Sequence, residues 1–214
     1  NSGIPFLQDF IGLAAVVGNS FYDFDLEHWG FKRDDEETWR SYFSRMRKHP
    51  AWGTKNSVAW DVSVQGAREM NSLCIANPNI YYFSYVTSNT ILDSTSNRHV
   101  PDKNMSYIIR ANARLMGMKK AYYSDGSETD STWFENDGIV NKKSMLGPTT
   151  GINGSDPISN YRINDILIPG QWYVMGEYKS DHRKFVGHSI RKEKFEELIK
   201  IYVEHLLLLW TLPK

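Results

Sequence analysis

The stretch that decides the fold is Trp133-Phe134-Glu135-Asn136-Asp137-Gly138-Ile139-Val140-Asn141. At its centre, Asn136-Asp137-Gly138 forms a turn signal, because an Asp side chain bonds to nearby backbone and glycine tolerates unusual φ angles. The apolar residues that follow would anchor this turn to a core. A fixed carboxylate on a turn can orient a catalytic histidine, but this tripeptide alone favours an ordinary turn that caps a surface loop.

His182 is the second informative residue. The segment Asp181-His182 follows a short apolar stretch at 172–176 and precedes a helical pattern. A catalytic triad in the order nucleophile, acid, histidine places the histidine on a loop near the C-terminus. Asp137 and His182 fit the last two places, while no Gly-x-Ser-x-Gly pentapeptide occurs in the 214 residues. Asp181 is not expected to be the acid, because neighbouring side chains on an extended loop diverge.

The composition narrows the class of protein. The 25 basic residues balance the 25 acidic ones, which gives no support for a nucleic-acid partner. No apolar run reaches the roughly 18 residues that a transmembrane helix needs. Cys74 is the only cysteine, so no internal disulfide can form, and its apolar surroundings predict that it is buried. The chain begins at Asn1-Ser2 without a methionine, as expected of a fragment or a processed chain.

Periodicity predicts an α/β architecture. Apolar residues at helical spacing predict helices over 34–48, 63–75, 105–118 and 190–210, and a nearly all-apolar helix over 4–17. The continuous apolar and aromatic run at 79–87 predicts a strand covered on both faces, and 171–178 predicts another. The segments 88–104, 119–132 and 149–160 are predicted to be loops, and Leu206 to Trp210 to pack in a core. A doubly wound sheet needs more strands, which we expect upstream.

Asp61 is the one candidate metal ligand. It lies in Trp60-Asp61-Val62-Ser63, directly before a predicted helix. Because Asp and Ser are favoured N-cap residues, a helix cap is the default interpretation of Asp61. No cluster of His, Cys and Asp with metal-ligand spacing occurs in the chain.

Taken together, five ordered segments resemble the C-terminal half of the secreted bacterial lipases of subfamily I.5 and the staphylococcal type. They are Tyr22-Asp23-Phe24-Asp25-Leu26-Glu27-His28-Trp29-Gly30, Trp60-Asp61-Val62-Ser63-Val64-Gln65-Gly66-Ala67, Tyr81-Tyr82-Phe83-Ser84-Tyr85-Val86-Thr87-Ser88, the 133–141 stretch, and Met175-Gly176-Glu177-Tyr178 with Asp181-His182. Five matches in order are far more specific than any one of them, and they favour Asp137 and His182 as triad members.

The resemblance implies a partial α/β-hydrolase fold, with a mostly parallel sheet and a lid-like helix, and hydrolysis of carboxylic esters without an organic cofactor. On this basis residues 1–214 are the C-terminal portion of a single lipase domain. The nucleophilic serine and the oxyanion hole would lie upstream, His182 would take the proton of that serine, and Asp137 would orient His182. The apolar helix within 1–18 matches by position the lid that uncovers the active site at a lipid surface.

The resemblance also implies metals. The family binds zinc through two aspartates and two histidines. One of these aspartates falls on Asp61, which lies in an extra helical region at 20–75. The other three ligands belong to the upstream part. The family's calcium site uses acidic side chains that are replaced here by Lys184 and Ser189, and a lysine cannot ligate calcium. We therefore expect the calcium site to be lost or rebuilt.

The sequence thus predicts the C-terminal portion of a secreted triacylglycerol lipase, which meets lipid or ester substrate at an interface and is inactive as an isolated chain. Two rivals remain open: a non-catalytic lipid- or protein-binding domain that kept the fold, and an esterase for short-chain soluble esters. Substrate chain length and oligomeric state are not encoded in any of these patterns.

Overall fold

A computed structural model of the chain describes residues 30–56, 58–61, 63–147, 158–188 and 190–213. The chain divides into two compact units, residues 1–66 and 67–214. The predicted lid-like helix within 1–18, nearly all of the first matching segment at 22–30, and Ser189 lie outside the described residues.

The first unit holds short helices. Helix α1 spans Trp39–Arg47, a 3-10 helix spans Pro50–Gly53, and α2 spans Val58–Asp61. The prediction of a helix over 34–48 was wrong at its start, because Thr38 accepts a hydrogen bond from Ser41 N at 3.2 Å and caps the helix there. On the inward face, Tyr42 and Met46 are fully buried.

Asp61 does not cap the next helix, contrary to the default interpretation. Helix α3 spans Val64–Leu73, and the hydroxyl of Ser63 accepts a hydrogen bond from Gly66 N at 3.0 Å. Ser63 thus occupies the N-cap position, and Asp61 is the last residue of α2, with an exposed side chain. The helix predicted over 63–75 is confirmed. Cys74, just beyond it, is exposed, so its predicted burial was wrong.

The second unit is organised by a parallel sheet. Strand β1 spans Tyr82–Thr87, β4 spans Ile158–Asn160 and β5 spans Trp172–Tyr178, in the order β1-β5-β4. Both pairings are parallel. The strands predicted over 79–87 and 171–178 are confirmed. Strand β4 falls inside the predicted loop 149–160, and its three residues are too short for a periodicity signal.

The segment 88–104 is also not simply a loop. Strands β2, Thr90–Asp93, and β3, Arg98–Pro101, form an antiparallel hairpin, with Asn97 at a φ of 52° in its turn. The prediction missed it because each strand has only four residues, among polar neighbours.

The carboxyl ends of β1 and β5 meet at one edge of the sheet. Thr87 is paired in register with Tyr178, and Ser88 N donates to the Tyr178 carbonyl at 3.1 Å. At the other end, the rings of Tyr82 and Trp172 stack 4.8 Å apart. Because both strands end together, the chain that follows each one is brought to the same place.

Helices flank the sheet in the second unit. A 3-10 helix spans Tyr107–Ile109 and leads directly into α4, which spans Arg110–Met116. A further 3-10 helix spans Ser131–Trp133. Helix α5 spans Lys142–Met145, α6 spans His182–Phe185 and α7 spans Lys192–Thr211. His205 of α7 packs edge-on against the rings of Phe83 and Tyr85 in β1.

The end of α7 contradicts one expectation. Leu206 and Trp210 are 64% and 82% exposed in this chain, so the predicted core packing of this end was wrong. The helical pattern predicts an apolar face but does not say what covers it. Within the described ranges, no helix is both long enough and apolar enough to cross a bilayer.

Candidate active site

The turn at Asp137 holds its carboxylate rigidly. Asp137 is fully buried, and its backbone N donates to the Val140 carbonyl at 3.1 Å. Its Oδ1 accepts the backbone N–H groups of Ile139, at 3.0 Å, and Val140, at 2.8 Å. These two bonds hold Oδ1 in place and leave Oδ2 for other donors.

Gly138 lets the backbone pass close to helix α4. Its φ is +97°, a conformation that a side chain disfavours. A Cβ there would lie 2.7 Å from Cδ1 of Ile109, whose side chain is part of the small core with Met105 and Ala113. The Gly138 carbonyl also accepts from Asn112 Nδ2 at 2.7 Å. The acid-bearing turn is therefore held against α4.

Asn136 adds further hydrogen bonds between the turn and α4. It is fully buried, and its Nδ2 donates to the carbonyls of Ala113, at 3.1 Å, and Phe134, at 2.8 Å. Its Oδ1 accepts from Gly138 N at 2.9 Å. Every polar atom of this side chain is hydrogen-bonded, as a buried amide requires. Asn136 positions the backbone on which Asp137 lies.

His182 is the first residue of α6. The preceding residue, Asp181, is the N-cap: its Oδ1 accepts from Lys184 N at 3.0 Å. The fully buried Asp181 carboxylate also accepts from Ser106, through the backbone N at 2.8 Å and the hydroxyl at 3.0 Å. The side chain of Asp181 therefore caps and anchors the short helix. It makes no hydrogen bond or ion pair with the imidazole of His182, as expected for neighbouring side chains that diverge.

Lys184 adds a further link between these segments. Its ammonium donates to the Asn104 carbonyl and lies 3.5 Å from Asp181 Oδ2. The loop at 104–106 and helix α6, which carries His182, are thus joined at the Asp181 carboxylate. Its donors are the backbone N and hydroxyl of Ser106 and the ammonium of Lys184.

The structure brings Asp137 and His182 together. Nδ1 of His182 lies 2.9 Å from Oδ2 of Asp137, and His182 N donates to the Asp137 carbonyl at 3.1 Å, across 45 residues of chain. Because an ionised carboxylate only accepts hydrogen bonds, Nδ1 carries the proton and Nε2 is the acceptor nitrogen of the neutral ring. The His182 side chain is 42% exposed, and no described residue hydrogen-bonds Nε2.

Thr87, the last residue of β1, completes the surroundings of Asp137. Its hydroxyl lies 2.7 Å from Asp137 Oδ2, the oxygen that also accepts from His182, and 3.4 Å from the sulfur of Met145. A hydroxyl has one proton, and a carboxylate is a far stronger acceptor than a thioether, so Thr87 donates to Asp137. Four donors now match the roughly four lone-pair sites of the carboxylate.

The other described histidines have different surroundings. His49 caps a 3-10 helix, His99 meets the Thr90 hydroxyl, His188 meets the Arg183 guanidinium, and His205 packs against aromatic rings. Burial lowers the pKa of both His99 and His205. Between described residues, the contact within 4 Å that joins a histidine ring nitrogen to a carboxylate is that of His182 with Asp137.

A charged pocket of about 320 Å³ lies beside this site, at the carboxyl ends of β1 and β5. Thr87 lines it, but neither Asp137 nor His182 does. Lys142 in its wall pairs with Glu177 at 2.8 Å and Glu135 at 3.3 Å, and the hydrogen bond that its ammonium donates to Glu177 raises the pKa of Lys142. Its charged lining does not suit an acyl chain.

Asp61, the predicted metal ligand, belongs to no cluster of metal ligands among the described residues. No group of three or more His, Cys, Asp or Glu side chains within the described ranges could hold a metal ion. The Asp61 carboxylate is exposed and makes no hydrogen bond or ion pair with the described residues.

The family follows from comparison with known proteins. The family described as "Lipase-like, C-terminal domain" matches residues 9–207. The chain belongs to this family. The lipase of Staphylococcus hyicus is 30% identical over 199 residues, which is 92% of this chain and 28% of that protein. Lipase 1 of Staphylococcus aureus strain Mu50 is 30% identical over 174 residues, or 80% of this chain and 23% of that protein.

Solved structures agree. The crystal structure of S. hyicus lipase matches with a TM-score of 0.66 and 27% identity, over 95% of this chain and 49% of that one. EstA from Clostridium botulinum matches with a TM-score of 0.66 and 30% identity, over 89% and 47%. The predicted lipase family and α/β fold are thus confirmed. The chain spans about a quarter of the curated relatives it matches and about half of the solved chains.

Sequence reasoning missed three residues around the pair. Thr87 lies at the end of a strand 50 residues before Asp137, and only the fold brings the two together. Ser106 is 75 residues from Asp181 and was hidden in a predicted helix. Asn136 did have a signal, because it stands beside the acid in a turn motif, but its backbone contacts were not predictable.

Proposed function

We propose that the protein containing this chain hydrolyses carboxylic esters, with Asp137 and His182 as two members of a Ser-Asp-His triad. The observation that carries the proposal is the 2.9 Å contact between His182 Nδ1 and the buried Asp137 Oδ2, with Nε2 left accessible. Membership in a family with lipase relatives supports the same chemistry.

In this mechanism His182 Nε2 takes the proton of a serine hydroxyl from the preceding part of the protein. The serine oxygen attacks the ester carbonyl carbon, and the resulting oxyanion collapses as the alcohol leaves with the proton that His182 held. Water then attacks the acyl-enzyme with His182 again as the base. Asp137 stays ionised, holds the Nδ1 tautomer and stabilises the imidazolium.

As substrate we propose triacylglycerol at a lipid surface, because relatives of this chain are described as lipases. As location we propose the outside of the cell, on the basis of the resemblance to secreted bacterial lipases. A hydrolase of short-chain soluble esters is the alternative that the sequence leaves open. The two are separated by comparing rates on emulsified long-chain triglyceride and dissolved p-nitrophenyl butyrate. Activity only on the dissolved ester would reject the lipase.

We further propose that Asp61 supplies one carboxylate to a zinc ion. Zinc there would fasten the helical region 20–75 and takes no part in the catalytic steps. The support is the exposed Asp61 carboxylate, which Ser63 frees from the role of helix cap. Metal analysis of full-length protein and of Asp61→Ala should show a loss of zinc in the variant. Unchanged zinc content would remove Asp61 from the site.

For calcium we propose that this chain offers no site beside the catalytic histidine. Lys184 brings an ammonium to the Asn104 carbonyl and to Asp181, where a second cation would be repelled. Added calcium should leave the unfolding temperature of the full-length protein unchanged, and a calcium-dependent rise would contradict this.

The test of the catalytic proposal uses full-length protein and p-nitrophenyl butyrate, a dissolved ester that needs no interface. His182→Ala should lower kcat by at least about a thousandfold, because the general base is lost. His188→Ala is the matched control, since His188 is also near α6 but meets Arg183, and it should retain activity. Equal activity of wild type and His182→Ala would reject the triad, whereas no activity in wild type would favour a non-catalytic binding domain. The isolated chain should be inactive.

A further inference from the structure

Thr87 contacts the proposed catalytic acid but belongs to a different element. It is the last residue of β1, it is 4% exposed, and its hydroxyl lies 2.7 Å from Asp137 Oδ2. Oδ1 already has two backbone donors, so Thr87 and His182 share the other oxygen. The position of Oδ2 relative to the imidazole therefore depends on this hydroxyl.

We propose that Thr87 is a positioning residue, whose hydroxyl holds Asp137 Oδ2 in line with His182 Nδ1 and tempers the basicity of that oxygen. This inference rests on the proposed function, because it acts through the same acid and histidine. Thr87 touches no reacting atom. It acts on catalysis only through Asp137.

Two consequences follow from the donated hydrogen bond. Orientation comes first: without the hydroxyl, the carboxylate keeps its Oδ1 bonds, but Oδ2 can rotate away from His182. Charge comes second: a donor on Oδ2 withdraws electron density, so the carboxylate stabilises the imidazolium less strongly than it would alone. Removing the hydroxyl should thus make His182 easier to protonate as well as less well oriented.

The contacts of Thr87 with Met145 supply a control. The Met145 sulfur lies 3.3 Å from Thr87 N and 3.4 Å from the Thr87 hydroxyl. If Thr87 acted only by packing against α5, removing the sulfur would have an effect similar to that of removing the hydroxyl. If it acts through Asp137, Met145→Leu should leave catalysis unchanged.

The experiment measures kcat, KM and the pH dependence of kcat/KM for full-length protein on p-nitrophenyl butyrate. Thr87→Val keeps the side-chain shape and removes the hydroxyl, while Thr87→Ser keeps the hydroxyl. For Thr87→Val we expect kcat to fall roughly tenfold, the scale of one charge-assisted hydrogen bond, with KM within twofold. The acidic limb of its profile should move upward by about half a pH unit. Thr87→Ser and Met145→Leu should match wild type.

Each other result overturns the inference. Thr87→Val with wild-type kcat, or with an acidic limb that stays in place, would show that the hydroxyl does not act on Asp137. Equal losses in Thr87→Ser, or in Met145→Leu, would assign the effect to packing. If wild type and His182→Ala are equally active, the proposed function fails instead, and that outcome is distinct from a normal Thr87→Val in an enzyme that needs His182.

Discussion

Two fully buried carboxylates lie in segments that meet where His182 N donates to the Asp137 carbonyl, and the two carboxylates have different partners. Asp137 and Asp181 are both completely buried, and both accept backbone N–H groups from residues that follow them. Asp181 receives its remaining donors from Ser106 and Lys184, groups that stay fixed or charged at neutral pH. Asp137 instead receives Thr87 and the titratable ring of His182.

The comparison teaches that burial and saturation do not identify a catalytic acid. Both groups are satisfied, as buried carboxylates must be. What separates them is the identity of one partner. His182 has a second ring nitrogen that remains accessible, whereas Asp181 is bonded to backbone, hydroxyl and ammonium groups of Ser106 and Lys184. We therefore propose a structural role for Asp181 and a catalytic role for Asp137.

The largest expected effect separates these two assignments directly. Asp137→Asn removes the acceptor that holds the Nδ1–H tautomer, and it should lower kcat of the full-length protein by about 10³- to 10⁴-fold. Asp181→Asn keeps an oxygen that can cap α6, so its kcat should stay within roughly tenfold of wild type. Rates are measured on p-nitrophenyl butyrate, and circular dichroism checks that both variants are folded. Equal losses in the two variants would remove the distinction.

The sequence predicted much of this site, and the reasons are specific. Asp137 and His182 came from a turn motif, chain order and resemblance to a lipase family. The strands at 79–87 and 171–178 were predictable because continuous apolar runs signal buried parallel strands. The end of β5 leads to His182 and the end of β1 brings Thr87 to Asp137, but the choice of Asp137 and His182 as a pair needed the family resemblance as well as local signals.

Other features were beyond local patterns. The hairpin β2–β3 is built from two four-residue strands with polar neighbours, too short for periodicity to register. Thr87 and Ser106 act through contacts 50 and 75 residues away, which no local pattern encodes. The exposed face of α7 and exposed Cys74 show the converse, since an apolar pattern predicts a packing face without naming what covers it.

A smaller effect tests how firmly the Asp137 turn is held. Gly138→Ala should destabilise the protein by about 2–3 kcal/mol, because it combines a positive φ with a Cβ only 2.7 Å from Ile109. Gly126→Ala is the control: φ is +84°, but no atom lies within 4 Å, so it should cost only about 1 kcal/mol. Urea unfolding of full-length protein gives both values. A Gly138→Ala variant as stable as Gly126→Ala would mean that the turn can move away from Ile109.

The smallest effect concerns the Asp181 side. Lys184→Met removes an ammonium 3.5 Å from a buried carboxylate, so unfolding free energy should fall by about 1–2 kcal/mol while kcat changes less than threefold. Lys194→Met is the matched control, because Lys194 and Glu197 form an exposed pair that should contribute less than about 1 kcal/mol. A loss of kcat in Lys184→Met as large as that in Asp137→Asn would make the Asp181 cluster catalytic.

The most direct test of the central claim is a crystal structure of the full-length protein after covalent reaction with a serine-directed alkyl phosphonate. The account predicts a single modified serine whose Oγ lies about 3 Å from His182 Nε2, with Asp137 still bonded to Nδ1. A modified serine far from His182, or a labelled protein in which another histidine faces that oxygen, would contradict the assignment of this pair.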